Sequence, residues 1–186
     1  MSAPAERFRP SAWFWPIVPV VAALTWALHE AAHFTAGKLL GYSMWVSMNG
    51  SGLVEGTYAS TTHSVLVAMA GPLVTYTQAV VAWAVLRRRR SGLAYVVLFL
   101  ALFMRLAAFA VGISHPNDEA RASLDLGFPV WLIPSVACVV LLALTVSRAR
   151  ALRVGWRTNV LLYVVVSVFT ATIVLTDPIV GRLIAS

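Results

Sequence analysis

Residues 13–41 read WFWPIVPVVAALTWALHEAAHFTAGKLLG. The stretch is long and apolar enough to cross a bilayer as a helix, which takes roughly 20 residues. Inside it stands the pattern His29-Glu30-Ala31-Ala32-His33. Residues four apart share one face of a helix, so both imidazoles can reach one ion while Glu30 lies beside it. That arrangement supplies two zinc ligands and a carboxylate placed to take a proton from a bound water. Two histidines and a glutamate are costly in hydrocarbon, and ionisable residues inside a span mark functional positions.

The rest of the chain agrees with a membrane setting. Of its 186 residues, 60% are hydrophobic and 11% charged, where soluble domains carry about a quarter charged. Mean hydropathy is +0.81. The sequence therefore predicts an all-α polytopic membrane protein, a single domain over residues 1–186 with an N-terminal tail over 1–12. The net charge of +7 does not predict a nucleic-acid partner. The arginines cluster at Arg87–Arg90 and at Arg148, Arg150, Arg153 and Arg157, between apolar runs, as the positive-inside rule expects. Such clusters attract anionic lipid headgroups. Cys138 is the only cysteine, which excludes an internal disulfide, and it reads as a small buried hydrophobe. The first span is not read as a cleavable signal, since its removal would take the motif with it.

Five spans are expected. The first ends near Gly37, Lys38 and Gly41, with Trp13, Trp15, Tyr42 and Trp45 as interfacial aromatics. Residues 42–62 alternate in polarity around Asn49-Gly50-Ser51-Gly52, which predicts a small β-hairpin between the first and second spans. The second span runs from about Ser64 to Leu86 through Gly71-Pro72, and the third from about Gly92 to Ile113 with Arg105 inside it. A polar connection over Ser114 to Gly127 leads to a fourth span, about Phe128 to Val146. The fifth covers about Thr158 to Leu175 and is expected to stop at Asp177-Pro178. With five crossings, Arg7, Arg9 and both arginine loops share one side. Positive-inside then places them and the N-terminus in the cytoplasm, and the hairpin and the Ser114–Gly127 connection opposite. His29 and His33 lie toward that opposite face.

A catalytic zinc takes a third protein ligand and a water. Asp118 follows Pro116 and Asn117 and is expected to N-cap a short helix over Glu119 to Leu126, from which it can point back into the bundle. It is the favoured ligand. Asp125, before the fourth span, is the alternative, and His115 and Glu55 are weaker candidates. Arg105 either pairs with Glu119 or Asp118 or snorkels to an interface. Glu119 and Arg105 are therefore supporting candidates. His63 reads as an interfacial residue.

Three features in order resemble the site-2 protease family of intramembrane zinc metalloproteases. They are His29-Glu30-Ala31-Ala32-His33 in a span, Ala70-Gly71-Pro72-Leu73 in the next, and an aspartate before a later span. The resemblance covers about residues 20 to 130. It implies one Zn²⁺, Glu30 as general base, and peptide-bond hydrolysis in a membrane protein or peptide substrate at a hydrated cavity between spans. The Pro116-Asn117-Asp118-Glu119 stretch looks like the aspartate motif of short members, whereas Leu124-Asp125-Leu126-Gly127 departs from the common Leu-Asp-Gly. Thr75 or Tyr76 stands where the family often has an asparagine. The outward-facing site also departs from the common orientation.

Two other classes fit parts of the pattern. A membrane zinc amidase acting on lipids would use the same chemistry. A non-enzymatic metal-binding or transport protein would need polar residues along several spans, and the last two spans are almost purely apolar. A desaturase-like diiron site is disfavoured, because such sites need many histidines and only four are present. The sequence sets neither the substrate nor the oligomeric state.

Overall fold

The computed structural model describes residues 8–181 and 183–185; Arg7 and most of the N-terminal tail lie outside the described residues. Among those described, six helices and three short strands follow one another. They are α1 (Phe14–Leu39), β1 (Met44–Val46), β2 (Ser51–Leu53), α2 (Thr61–Arg88), α3 (Gly92–Gly112), α4 (Asp118–Asp125), α5 (Leu132–Leu152), α6 (Trp156–Val180) and β3 (Ile184–Ala185). Five of the helices are long and apolar enough to cross a membrane. The chain is an all-α multi-pass membrane protein with a β-hairpin between its first two spans.

The helix starts follow local chemistry. Ser60 and Ser91 N-cap α2 and α3, each hydroxyl accepting from a backbone N–H of the first turn, His63 and Ala94 respectively, at 3.2 Å. Pro16 sits in the first turn of α1, where its missing N–H costs nothing. Four expected boundaries shift. Asn117, not Asp118, occupies the N-cap position of α4, and its amide donates to the Ala108 carbonyl at 2.9 Å instead of capping. The fourth span begins at Leu132, because Pro129 and Leu132 close a turn first. Asp177-Pro178 does not end α6, which continues to Val180 and stops at Gly181, at φ 71°. The hairpin is also shorter than its alternating pattern predicts.

α3 is the central helix. Half of its apolar window is buried, against 22% for α5 and 17% for α6. Phe14, Val18 and Ala22 of α1, Ala79, Ala82 and Leu86 of α2, and Leu162 and Val166 of α6 pack with it into one core. Cys138 is buried and free. The hairpin docks on α1 through Met44, fully buried against Gly37, where an added Cβ would strike the Met44 thioether.

Phe8 and β3 lie at opposite ends of the helix bundle. β3 pairs antiparallel with β1, giving sheet order β2-β1-β3, so the last helix ends beside the hairpin. At the other end, the Phe8 N–H and the Arg90 guanidinium both donate to the Leu152 carbonyl, at 3.1 and 2.9 Å. Phe8 and the two arginine-rich loops thus gather at one end of the bundle.

Candidate metal centre

His29 and His33 lie one turn apart on the buried face of α1. Their outer nitrogens are both committed. His33 Nδ1 donates to the Val67 carbonyl of α2 at 2.7 Å, an acceptor that leaves no other choice of tautomer. The Thr75 hydroxyl donates to the Gly71 carbonyl at 3.2 Å, so its oxygen accepts from His29 Nδ1 at 3.1 Å. Both Nε2 atoms consequently present lone pairs inward. The Asp118 carboxylate, from the first residue of α4, completes the group.

The two imidazoles and the carboxylate form a compact triangle of groups. His29 Nε2 lies 3.0 Å from Asp118 Oδ2, His33 Nε2 lies 3.4 Å from Asp118 Oδ1, and the two Nε2 atoms are 3.2 Å apart. A tetrahedral zinc about 2.05 Å from each ligand needs ligand atoms about 3.3 Å apart. The group is therefore the right size to hold such an ion. Charge agrees with geometry. The carboxylates of Asp118 and Glu119 share the one Arg105 guanidinium, which leaves a net negative charge beside the two histidines for a cation to neutralise.

A close helix approach makes the triangle reachable. An added Cβ at Gly71 would fall onto His33 Nε2 and within 2.6 Å of His29 Cε1. Only glycine lets α2 come this near, which gives the Gly71-Pro72 pair its physical reason. Val67, Gly71 and Thr75 recur every four residues, so one stripe of α2 supplies both outer hydrogen bonds and the gap between them. Sequence reasoning did not assign Val67 or Thr75 a role; the small-residue stripe facing the motif was the signal that would have found them.

The other candidates are placed as follows. Arg105 does not snorkel: its Nη1 donates to both Glu119 oxygens at 2.9 Å and lies 3.6 Å from Asp118 Oδ2. Tyr76 donates to Glu119 Oε1 at 2.7 Å. This buried group pins the residue next to Asp118 and so aims α4. Asp125 is not brought to the histidines; it accepts from the Ser64 hydroxyl at 2.6 Å. His115 and Glu55 are exposed, and His63 bonds the Tyr42 hydroxyl at 2.7 Å.

Glu30 is buried beside the triangle and accepts from the Ser51 hydroxyl of β2 at 3.1 Å. The hairpin turn closes over it, held from the far side by α6. The Asp177 carboxylate accepts from the Ser47 hydroxyl at 3.1 Å and from the Asn49 N–H at 3.0 Å. Between these parts lies a cavity of about 480 Å³, bordered by Trp26, Glu30, Ser51, Met104, Arg105 and Thr170. Arg105 Nε and Thr170 Oγ1 are buried without a protein partner, a pattern that a hydrated cavity satisfies. Compared with protein-family models, curated proteins and solved structures, the chain matches none.

Proposed function

We propose that this protein is an intramembrane zinc metalloprotease of the site-2 protease type, with His29, His33 and Asp118 as ligands of one Zn²⁺. The observation that carries the reading is the convergence of two tautomer-fixed imidazoles and a carboxylate within 3.0–3.4 Å, with a buried glutamate beside them. Bound there, zinc supplies a Lewis acid and a water whose pKa falls toward about 7. Glu30 takes the proton from the attacking water and returns it to the leaving amine. Ser51 occupies one Glu30 oxygen and orients the carboxylate, leaving the other to act as base. β2 lies at the edge of the sheet, so an extended substrate segment can pair with it beside Glu30. Such a segment comes from a membrane protein or peptide, since the cavity lies among spans. Positive-inside places the N-terminus and the arginine loops in the cytoplasm and the cavity mouth toward the opposite face.

The test is cleavage of a panel of membrane-spanning peptides by purified, zinc-loaded protein. Cleavage is expected, with Glu30→Gln keeping its zinc and losing about a hundredfold to ten-thousandfold in kcat. Full activity of Glu30→Gln would overturn the base. Release of fatty acid from lipid amides with no peptide cleavage would reassign the enzyme as an amidase. Purified protein that holds no zinc would overturn the enzymatic reading altogether.

A further inference from the structure

Two arginines from different helices converge on one indole. The Arg87 guanidinium, in the last turn of α2, lies 5.0 Å from the centroid of the Trp83 ring. That of Arg148, near the end of α5, lies 5.9 Å from the same ring. Among the described residues neither of these two guanidinium groups is paired with a carboxylate. Like charges gathered at one ring repel each other, and an anion between them relieves the repulsion.

A groove of about 510 Å³ lies between α2 and α5, walled by Tyr76, Val80, Val136, Val140 and Leu144, and ends one helical turn before Arg148. Helical spacing makes the groove and the arginines one feature. Tyr76, Val80, Trp83 and Arg87 descend one face of α2, and Val136, Val140, Leu144 and Arg148 descend one face of α5 at every fourth residue. The Tyr76 hydroxyl, the polar atom on the α2 wall, turns away to Glu119. From Val136 to Arg148 the helix rises about 18 Å, close to one leaflet of a hydrocarbon core about 30 Å thick. The feature is thus apolar along a leaflet and doubly cationic at its end, which is the inverse of an anionic phospholipid.

We propose that this groove binds one anionic phospholipid, with an acyl chain along Val80, Val136 and Val140 and the headgroup phosphate between Arg87 and Arg148. Arginine-rich loops attract anionic membranes diffusely; the groove adds a site with defined stoichiometry. It is separate from the metal centre and does not depend on the proteolytic reading.

Full-length protein in neutral detergent, titrated with phosphatidylglycerol or phosphatidylcholine of matched chains, tests this by native mass spectrometry. Phosphatidylglycerol is expected to bind one-to-one, at least tenfold more tightly than phosphatidylcholine. Arg87→Gln with Arg148→Gln is expected to lower its affinity about thirtyfold, about fivefold per cation. Val140→Trp, at a half-exposed position whose replacement leaves the core intact, is expected to fill the groove and weaken binding with both arginines present. Arg89→Gln with Arg150→Gln removes the same charge from the same loops and is expected to keep the preference. An equal loss in that control pair would leave diffuse attraction only and overturn the proposal. So would an unaffected Val140→Trp, a wild type that does not distinguish the two lipids, or glycerol phosphate binding as tightly as the lipid.

Discussion

His29 Nε2 and His33 Nε2 stand 3.2 Å apart with their opposite nitrogens committed to Thr75 and Val67. Two neutral imidazoles fixed in these tautomers put lone pairs against each other and against the Asp118 carboxylate. A cation resolves that conflict, and the first prediction follows from it. Wild-type protein is expected to hold one zinc per chain, measured by elemental analysis after gel filtration. His33→Ala and Asp118→Ala lose it, and Asp125→Ala keeps it. Zinc lost from Asp125→Ala and retained by Asp118→Ala would reverse the ligand choice.

The outer hydrogen bonds carry their own expectation. Removing a partner that orients a metal-binding histidine typically costs about 10- to 100-fold in metal affinity. Thr75→Val is expected to fall in that range, because it keeps the shape and removes the hydroxyl that His29 requires. Competition with a chelator of known zinc affinity reads the change. Unaltered affinity would mean that Thr75 fills space only.

Gly71→Ala tests the close approach of α2. Its methyl group would clash with His33 Nε2, so α1 and α2 must separate or the histidine must shift. Zinc affinity is expected to fall more than a hundredfold while helicity by circular dichroism stays near wild type. Gly127→Ala, whose added methyl meets open space but whose φ of 78° strains an alanine, is expected to cost stability and leave zinc affinity alone.

Arg105 and Glu119 form a buried, bidentate pair. Breaking one side leaves a buried charge uncompensated, at a cost of about 3–5 kcal/mol. Arg105→Met alone should therefore lower the unfolding midpoint strongly. Arg105→Met with Glu119→Met should recover most of the loss, since a desolvated pair is close to neutral against apolar residues. A double variant as unstable as the sum of the two single variants would show no coupling.

Asp177 ties α6 to the turn above Glu30 through Ser47 and Asn49. Asp177→Ala is expected to free that turn without touching the ligands. Proteolytic nicking between Asn49 and Ser51 should rise severalfold, read by limited proteolysis, while bound zinc is unchanged. An equally resistant turn would show that the hairpin is held without Asp177.

The spans, the hairpin and the pairing of His29 with His33 were legible because each rests on local periodicity. Apolar length marks a span, alternation around a Gly-rich turn marks a hairpin, and spacing of four puts two histidines on one helix face. Asp118 and Asp125 show where periodicity stops. They are seven residues apart on one short helix, about two turns, and so share a face. Which end of α4 meets α1 decides between them, and Arg105, thirteen residues earlier on α3, sets that by gripping Glu119. Asp177 shows the same limit, since at a helix end beside a proline it reads as a stop signal. Its partners lie 128 and 130 residues away.

By itself the sequence determined that this is a five-span membrane protein and that His29, Glu30 and His33 share one buried helical face, because the bilayer and the α-helix impose fixed lengths and periods. Tertiary structure alone decided that Asp118 joins the histidines, that Gly71 admits α2 to them, and that Thr75 and Val67 turn their nitrogens inward. Those are distances between helices, set by the packing of side chains against α3, and no local spacing contains them.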